Sequence, residues 1–354
     1  MNSIFLIGYY GYGNFGDEVL LKTFINKLKG NGKWKRIHVL STKYHSHDKI
    51  TYIPRFSFFH IFRAVRQSDI VLFGGGGIFQ DTTSSKSLYY YIFLILLAKL
   101  TGKKVLVAFQ GIGPLKRRIN HYIFRYVIDH FLDYVSLRDV ESLQLLKNTV
   151  KVRRPLQYFD DPSLSFFRDS VDLTTMNNLE NVLGLNVRQT GNEEINADHF
   201  AAIINRIVEK YNVSLKFFIL QEEHELDLVT KINSMLTVKA TVCQLTIDNF
   251  TEVFKCNYLL AMRLHLLILA FSANIRFLGI TYDPKVSNFL DGVDTGKVSL
   301  DLDTLETKLE QLLSGNVKKR NDEIFEGKIN SVEAGFKALF DLINDGGSPG
   351  NGTV

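Results

Sequence analysis

The sequence predicts an α/β protein of two Rossmann-like doubly wound domains facing each other across a cleft, the layer arrangement that alternating strand and helix signals favour. Three observations carry this. Short apolar runs of strand length alternate with amphipathic stretches of helix length, twice over, along the 354 residues. Many of the runs end in a glycine turn or in a single Arg or His, at the strand ends where open α/β sheets bind ligands. The charge also changes sign between the halves: residues 1–170 hold 25 Lys/Arg against 12 Asp/Glu, and residues 171–354 hold 17 against 25.

In chain order, Ser3–Ile7 reads as a first strand that runs into GYYGYGNFGDE (residues 8–18) and a helix from about Glu18 to Leu28. Gly11, Gly13 and Gly16 match GxGxxG after a strand and before a helix. The second strand (36–40) ends in Ser41-Thr42, where a dinucleotide site would place an acidic ribose partner. The glycines still let backbone amides approach an anion, with Asn14 and Asp17 able to hydrogen-bond a substrate; alternatively Asp17 is the helix N-cap. A basic amphipathic helix at 57–67 precedes strand 69–73 and the run Gly74–Gly77, which marks either a close ligand approach, the favoured reading, or chain packing.

Leu88–Leu100 is the most apolar stretch, too short to span a bilayer. A buried core helix is the favoured reading and shallow membrane contact the lesser one. Strand 104–109 ends in QGIGP, a third glycine turn containing Gly111 and Gly113, and strand 134–137 ends in Arg138, for which pairing to Asp139 or Glu141 competes with anion binding. Residues 151–180 show little period and form the connection.

A second αβ series starts at 182–187 with Arg188 just past its end. Its centre is NYLLAMRLHLLILAFSANIRFLGITYDPK (257–285): a strand, an exit carrying Arg263 and His265, an apolar helix, a further strand, then Asp283-Pro284-Lys285. Two cations and an imidazole at such strand ends can hold an anion and move a proton. Two cysteines without metal-ligand spacing argue against a zinc site or disulfide framework, and the opening residues read as a strand rather than a signal peptide. No metal and no bound cofactor are expected.

With these segments in place the chain resembles the polysaccharide pyruvyl transferase family over most of residues 4–290. The resemblance rests on GYYGYGNFGDE, DIVLFGGGGIFQD (69–81), GIGP (111–114), SLRDVESLQLL (136–146), DDP (160–162), LGLNVR (183–188), MRLH (262–265) and GITYDPKV (279–286). It implies a glycosyltransferase B-type architecture and an enzyme that transfers pyruvyl from phosphoenolpyruvate to a sugar as a ketal, releasing phosphate. Residues 1–170 would form the acceptor domain, 171–320 the donor domain, 321–343 a C-terminal helix and 344–354 a flexible tail.

Carried over, Arg263 and His265 fall on positions implicated in donor binding and catalysis, and Asn14, Asp17 and Lys285 on positions implicated in activity, Asp17 being counted with the catalytic pair. Since the donor carries a carboxylate and a phosphate, Arg188 and Arg138 join Arg263 and Lys285 as candidates to hold it. Asn14, Gly13, Gly16, Gly75, Gly76, Gly111 and Gly113 form the acceptor side. The implied partners are phosphoenolpyruvate as co-substrate and a cell-wall or exopolysaccharide acceptor, an undecaprenyl-diphosphate-linked saccharide being one form. The implied setting is cytoplasmic, with peripheral contact at the inner face of the membrane as an added possibility, and no nucleic acid. A nucleotide-sugar glycosyltransferase of the same fold, or a non-catalytic glycan or lipid-phosphate binder, are the alternative readings.

Overall fold

A computed structural model describes residues 3–43, 49–82, 85–171, 181–190 and 195–344. All but the first residue of the expected tail at 344–354 lie outside the described residues. The chain divides into two units. One contains the chain up to Tyr12, Asp17–Ser165 and the chain from Lys328 onward; the other contains Gly13–Gly16 and Phe166–Gly327.

The first unit is a seven-stranded parallel sheet in the order β3-β2-β1-β4-β5-β6-β7. The strands are β1 (Ser3–Tyr10), β2 (Arg36–Ser41), β3 (Ile50–Pro54), β4 (Ile70–Gly74), β5 (Lys104–Gln110), β6 (Tyr134–Leu137) and β7 (Gln157–Tyr158). Its central strands are nearly continuous runs of Ile, Val, Leu and Phe because helices cover both sides. α1 (Phe15–Gly30) lies on one side together with α12 (Asp322–Asn344), whose Phe336 ring packs 5.5 Å from Phe24 and 4.8 Å from Phe109. α2 (Phe58–Gln67), α3 (Ser85–Leu100) and α4 (Arg118–Phe131) supply Ile61, Val65, Leu88, Tyr91, Phe124 and Ile128 to the opposite core with Phe5, Val71 and Phe73.

Three expectations need correcting here. α3 is not buried all round: Tyr89, Phe93 and Leu100 are exposed on its outer stripe, because the helix is one layer thick over the sheet and nothing among the described residues lies over it. After α5 (Val140–Gln144) and a π-helical turn over Leu145–Val150, the described part of the connection at 151–180 is not featureless, since it holds β7 and α6 (Ser163–Ser170). Helix α1 begins at Phe15 rather than Glu18, so Asp17 is inside its first turn; Asn14 takes the cap position, its Oδ1 accepting from Gly16 N at 3.2 Å.

The second unit is a six-stranded parallel sheet in the order β10-β9-β8-β11-β12-β13. These strands are β8 (Val182–Asn186), β9 (Ser214–Ile219), β10 (Thr241–Gln244), β11 (Tyr258–Ala261), β12 (Arg276–Thr281) and β13 (Gly296–Ser299). α7 (Ala197–Tyr211), α8 (Glu222–Met235) and α11 (Leu305–Leu313) pack on one core around Leu185, Phe217, Leu260 and Leu278. α9 (Leu264–Ser272) is buried from Leu266 to Ser272, which explains the apolar sequence of that stretch, and α10 (Pro284–Gly292) follows β12. Both sheets have the doubly wound order, strands running outward in both directions from a central pair. The α/β class read from the sequence is therefore correct for each unit.

Candidate functional site

In the second unit the strand order reverses between β8 and β11, the position at which a doubly wound sheet opens at its carboxyl edge. The register places Asn186 beside Ala261 and Ala261 beside Gly279. With neighbouring strands about 4.8 Å apart, the residues just past these three ends share one short edge: Arg188 after β8, Arg263 and His265 after β11, and the Tyr282–Lys285 turn after β12.

Each is held in a definite way. Arg263 is buried and is the N-cap residue of α9. Its Nε donates to Glu225, a carboxylate with no exposed side-chain surface, and its Nη2 donates to Gln221 Oε1 at 3.0 Å. Glu225 Oε2 also accepts from Leu220 N (2.7 Å) and Asn186 Nδ2 (3.2 Å), while Asn186 Oδ1 accepts from Arg263 N (3.0 Å). A buried charge pair survives only when its remaining lone pairs and protons are satisfied, and this network does that. It fixes the guanidinium with donors to spare of the five it carries.

Arg188 lies over the ring of Tyr282 at 5.3 Å, and its Nη1 donates to Tyr282 Oη at 3.3 Å. Its backbone N–H points at Met262 Sδ (3.2 Å), tying the end of β8 to the end of β11. Asp283 caps α10 by accepting from Lys285 N at 2.8 Å, with Pro284 in the first turn, the usual chemistry of a helix start. Lys285 is thereby set at the positive end of α10, half-buried.

His265 is in the first turn of α9 and is half-buried. Against it lies Gly16: a Cβ built on Gly16 would fall 2.0 Å from His265 Nδ1 and 2.6 Å from Cε1. The Gly13–Gly16 loop belongs to this unit because Phe15 N donates to Leu220 O at 3.1 Å and the Phe15 ring stacks 6.3 Å from Phe167. The glycine at 16 is therefore required by close approach of an imidazole. Gly13 is exposed, has φ +75°, and has nothing within 4 Å of a built Cβ, so its requirement is conformational.

The remaining candidates lie in the first unit. Arg138 Nη1 donates to Asp161 Oδ2 at 2.7 Å in a nearly enclosed ion pair, and Asp161 Oδ1 accepts from Ser163 Oγ at 2.6 Å. The DDP segment thus supplies a partner for it, and Asp139 caps α5 by accepting from Ser142 N. Gly75 is buried against Leu20 and Phe24, and Gly113, which precedes the cis-proline Pro114, is buried against Leu145. Gly76 O accepts from Gly111 N at 2.8 Å, and a Cβ on Gly76 would sit 3.4 Å from Asp17 Oδ1. These glycine turns after β4 and β5 thus have a chain-packing reason of their own, and the direct approach of a ligand is not needed to account for Gly75 or Gly113.

Sequence reasoning missed Glu225, Gln221, Asn186, Tyr282 and Phe15. One signal was available for Glu225: it shares the inward period of α8 with Leu228, Val229 and Ile232, where a lone carboxylate needs a buried partner. Among the described residues no group of three or more His, Cys, Asp or Glu is placed to hold a metal ion.

The polysaccharide pyruvyl transferase family model matches residues 14–284, well over half of the chain. No curated protein sequence matches. In fold, the chain is similar to a glycosyltransferase from Rickettsia africae (11% identity, TM-score 0.65, covering 97% of this chain and 98% of that one). It is also similar to a putative UDP-N-acetylglucosamine 2-epimerase from Listeria monocytogenes (11%, 0.63, 97% and 96%). A third is the UDP-GlcNAc 2-epimerase from Neisseria meningitidis bound to UDP-GlcNAc (13%, 0.60, 98% and 100%). These likenesses establish the glycosyltransferase B-like fold, and the family establishes a transferase.

Proposed function

We propose, because the chain belongs to the polysaccharide pyruvyl transferase family, that it transfers pyruvyl from phosphoenolpyruvate to two hydroxyls of a saccharide. One observation carries the reading: Arg188, Arg263, Lys285 and His265 occupy one carboxyl edge of the second sheet, at its order reversal, and two helices begin there. A donor with a carboxylate and a phosphate needs several fixed cations, and helix N-termini add to them. Arg263, already anchored by Glu225 and Gln221, offers its outer guanidinium edge to the donor; Arg188 and Lys285 take the second anionic group.

In the reaction the enol methylene of the donor gains a proton and a sugar hydroxyl oxygen bonds to the adjacent carbon, losing its own proton. The carbon–oxygen bond to phosphate then breaks, and the second hydroxyl closes the ketal with loss of its proton. One group must donate and accept in turn, which an imidazole does near neutrality. His265 holds that role, Arg263 supports it, and Asn14 and Asp17 serve the acceptor. The acceptor gains ~70 Da and orthophosphate is released, by the balance of that condensation.

The test is incubation of the protein with phosphoenolpyruvate and a saccharide pool. Mass spectrometry should find the added mass, and released phosphate should match it mole for mole. Fold does not separate this donor from a nucleotide sugar, and the solved relatives include a glycosyltransferase and enzymes named for UDP-GlcNAc. Release of a nucleoside diphosphate from a nucleotide sugar, with none of phosphate from phosphoenolpyruvate, would replace the reading.

A further inference from the structure

The outer face of the α2–α3–α4 layer carries a feature that pyruvyl transfer does not use. Both α3 and α9 are apolar around their whole circumference, and a helix of that kind is normally enclosed. α9 is enclosed. α3 is not, and its outer stripe at Tyr89, Phe93 and Leu100 faces water. The flanking helices repeat the pattern: Phe58 (59% exposed) and Phe59 (69%) on α2, Tyr122 (69%) and Tyr126 (58%) on α4.

The three stripes form one surface. The Phe58 ring lies 6.1 Å from Phe93, joining α2 to α3, and Tyr89 Oη donates to Asn120 Oδ1 at 2.7 Å, joining α3 to α4. Its charge is predominantly positive. From Arg55 to His130 there are eleven Lys/Arg and three acidic residues. Each of the three acids is committed to structure: Asp69 accepts from Ser3 N, Asp81 from Lys116 N and Asn120 Nδ2, Asp129 from the backbone of Arg153 and Arg154. The exposed cations Arg63, Arg66, Lys86, Arg117 and Arg118 lie on the same helices or at their starts.

At the α4 margin, Tyr122 and Tyr126 also line a cleft of about 670 Å³ with Arg125, Asp129, His130, Arg153 and Arg154, Asp129 lying 3.6 Å from Arg125 Nε. Arg154 Nε is buried there without a hydrogen-bond partner among the described residues. A protein interface also enriches Tyr, Phe and Arg, but it depletes Lys and pairs its charges with those of a partner, whereas this face has a large excess of cations. Here cations are interleaved with aromatic rings, the composition that seats at the level of lipid headgroups. No helix among the described residues is long and apolar enough to cross a membrane, so the contact is one of lying on the surface.

We propose that the α2–α3–α4 face docks on a bilayer containing anionic lipid, with Phe58, Phe59 and Phe93 at the acyl boundary, Arg63 and Arg66 on lipid phosphates, and the Arg125–Arg153–Arg154 cleft receiving a phosphorylated headgroup. This stands apart from the donor reading, since docking is measured without phosphoenolpyruvate. The experiment is co-sedimentation of the full chain with phosphatidylcholine vesicles and with phosphatidylcholine–phosphatidylglycerol vesicles.

Binding should favour the anionic vesicles, weaken as salt is raised and persist in part at high salt through the aromatic contacts. The triple variant Phe58→Ser, Phe59→Ser, Phe93→Ser should lose at least roughly tenfold in partitioning. Arg63→Glu with Arg66→Glu should lose roughly as much, and selectively on anionic vesicles. These side chains are exposed, so circular dichroism and the unfolding midpoint should match those of the parent protein. Absence of binding to either vesicle, or equal binding by parent and folded variants, overturns the proposal. So does concentration-dependent self-association that Phe58→Ser removes and vesicles do not compete away, which would assign the face to a second copy.

Discussion

Gly16 lies so close to the imidazole of His265 that a methyl group on its α-carbon would fall 2.0 Å from Nδ1. A glycine-loop residue near the start of the chain thus abuts a ring 249 residues later. Gly16→Ala must push the ring aside or be pushed itself. Displacement of a reacting group by about an ångström commonly lowers rate roughly 10²-fold. Phosphate release should fall by that order, with the unfolding midpoint nearly unchanged; full activity in a folded variant would show that the placement of His265 does not matter.

His265→Gln keeps a polar side chain of similar length and removes the titrating ring. Loss of a positioned acid/base costs ~10²–10⁴-fold. Turnover should drop within that range while phosphoenolpyruvate, followed by calorimetry, still binds within a few-fold of the parent. A variant that turns over normally removes His265 from the mechanism.

Glu225 is read as a positioning residue. Glu225→Gln leaves the Arg263 guanidinium buried without its counter-charge, and breaking such a pair typically costs about 3–5 kcal/mol. Urea unfolding should show that loss, together with a raised KM for the donor as Arg263 loses its anchor. A variant of parental stability and unchanged KM would mean that Gln221 and the α9 cap hold Arg263 unaided.

Arg138 gives the opposite expectation. Its guanidinium is spent on Asp161 inside the first unit, so Arg138→Met should lower stability by a similar order, about 3–5 kcal/mol, and leave donor affinity unchanged. A selective loss of donor binding with stability intact would restore Arg138 to the donor site.

Acid sensitivity should centre on His38, a buried residue on β2 whose two ring nitrogens have no hydrogen-bond partner among the described residues. Burial, and then the Arg36 charge, push its pKa down to about 4 from an ordinary value of 6.5. The unfolded chain therefore binds this proton more readily than the folded one. The stability it contributes is complete above pH 6.5 and is lost as pH falls through that value toward 4. Over that window the loss is on the order of 3 kcal/mol. Urea midpoints at neutral and mildly acid pH should differ for the parent, and the difference should shrink in His38→Leu; an equal difference in both would clear His38.

Most of the framework was legible because parallel strands buried on both sides leave unbroken apolar runs, and the strand signals at 3–7, 104–109 and 258–262 coincide with observed strands. The elements that escaped were those without that imprint. β3 and β13 are short and lie on sheet edges, and α10 was passed over because Asp283-Pro284 reads as a turn as readily as a helix start. Local sequence also misplaced the start of α1. Asn14 and Asp17 are both good caps by type, and only the anchoring of Phe15 on Leu220 O decides between them. The strand-end cations after β8, β11 and β12 could be named from spacing, whereas the Asn186–Glu225–Gln221 support of Arg263 could not, since its members are joined only by the folded sheet.

The last helix completes the layer that the first helix begins. Lys27 reaches Glu333 at 2.7 Å, and Phe336 fills the gap between Phe24 and Phe109. The first half of the chain is therefore not a self-sufficient piece: a protein stopped at residue 320 would leave Phe24 and Phe109 without the ring that covers them and should clump with its own kind. Anyone wishing to study the basic lobe by itself must graft residues 328–344 back onto it through an artificial tether.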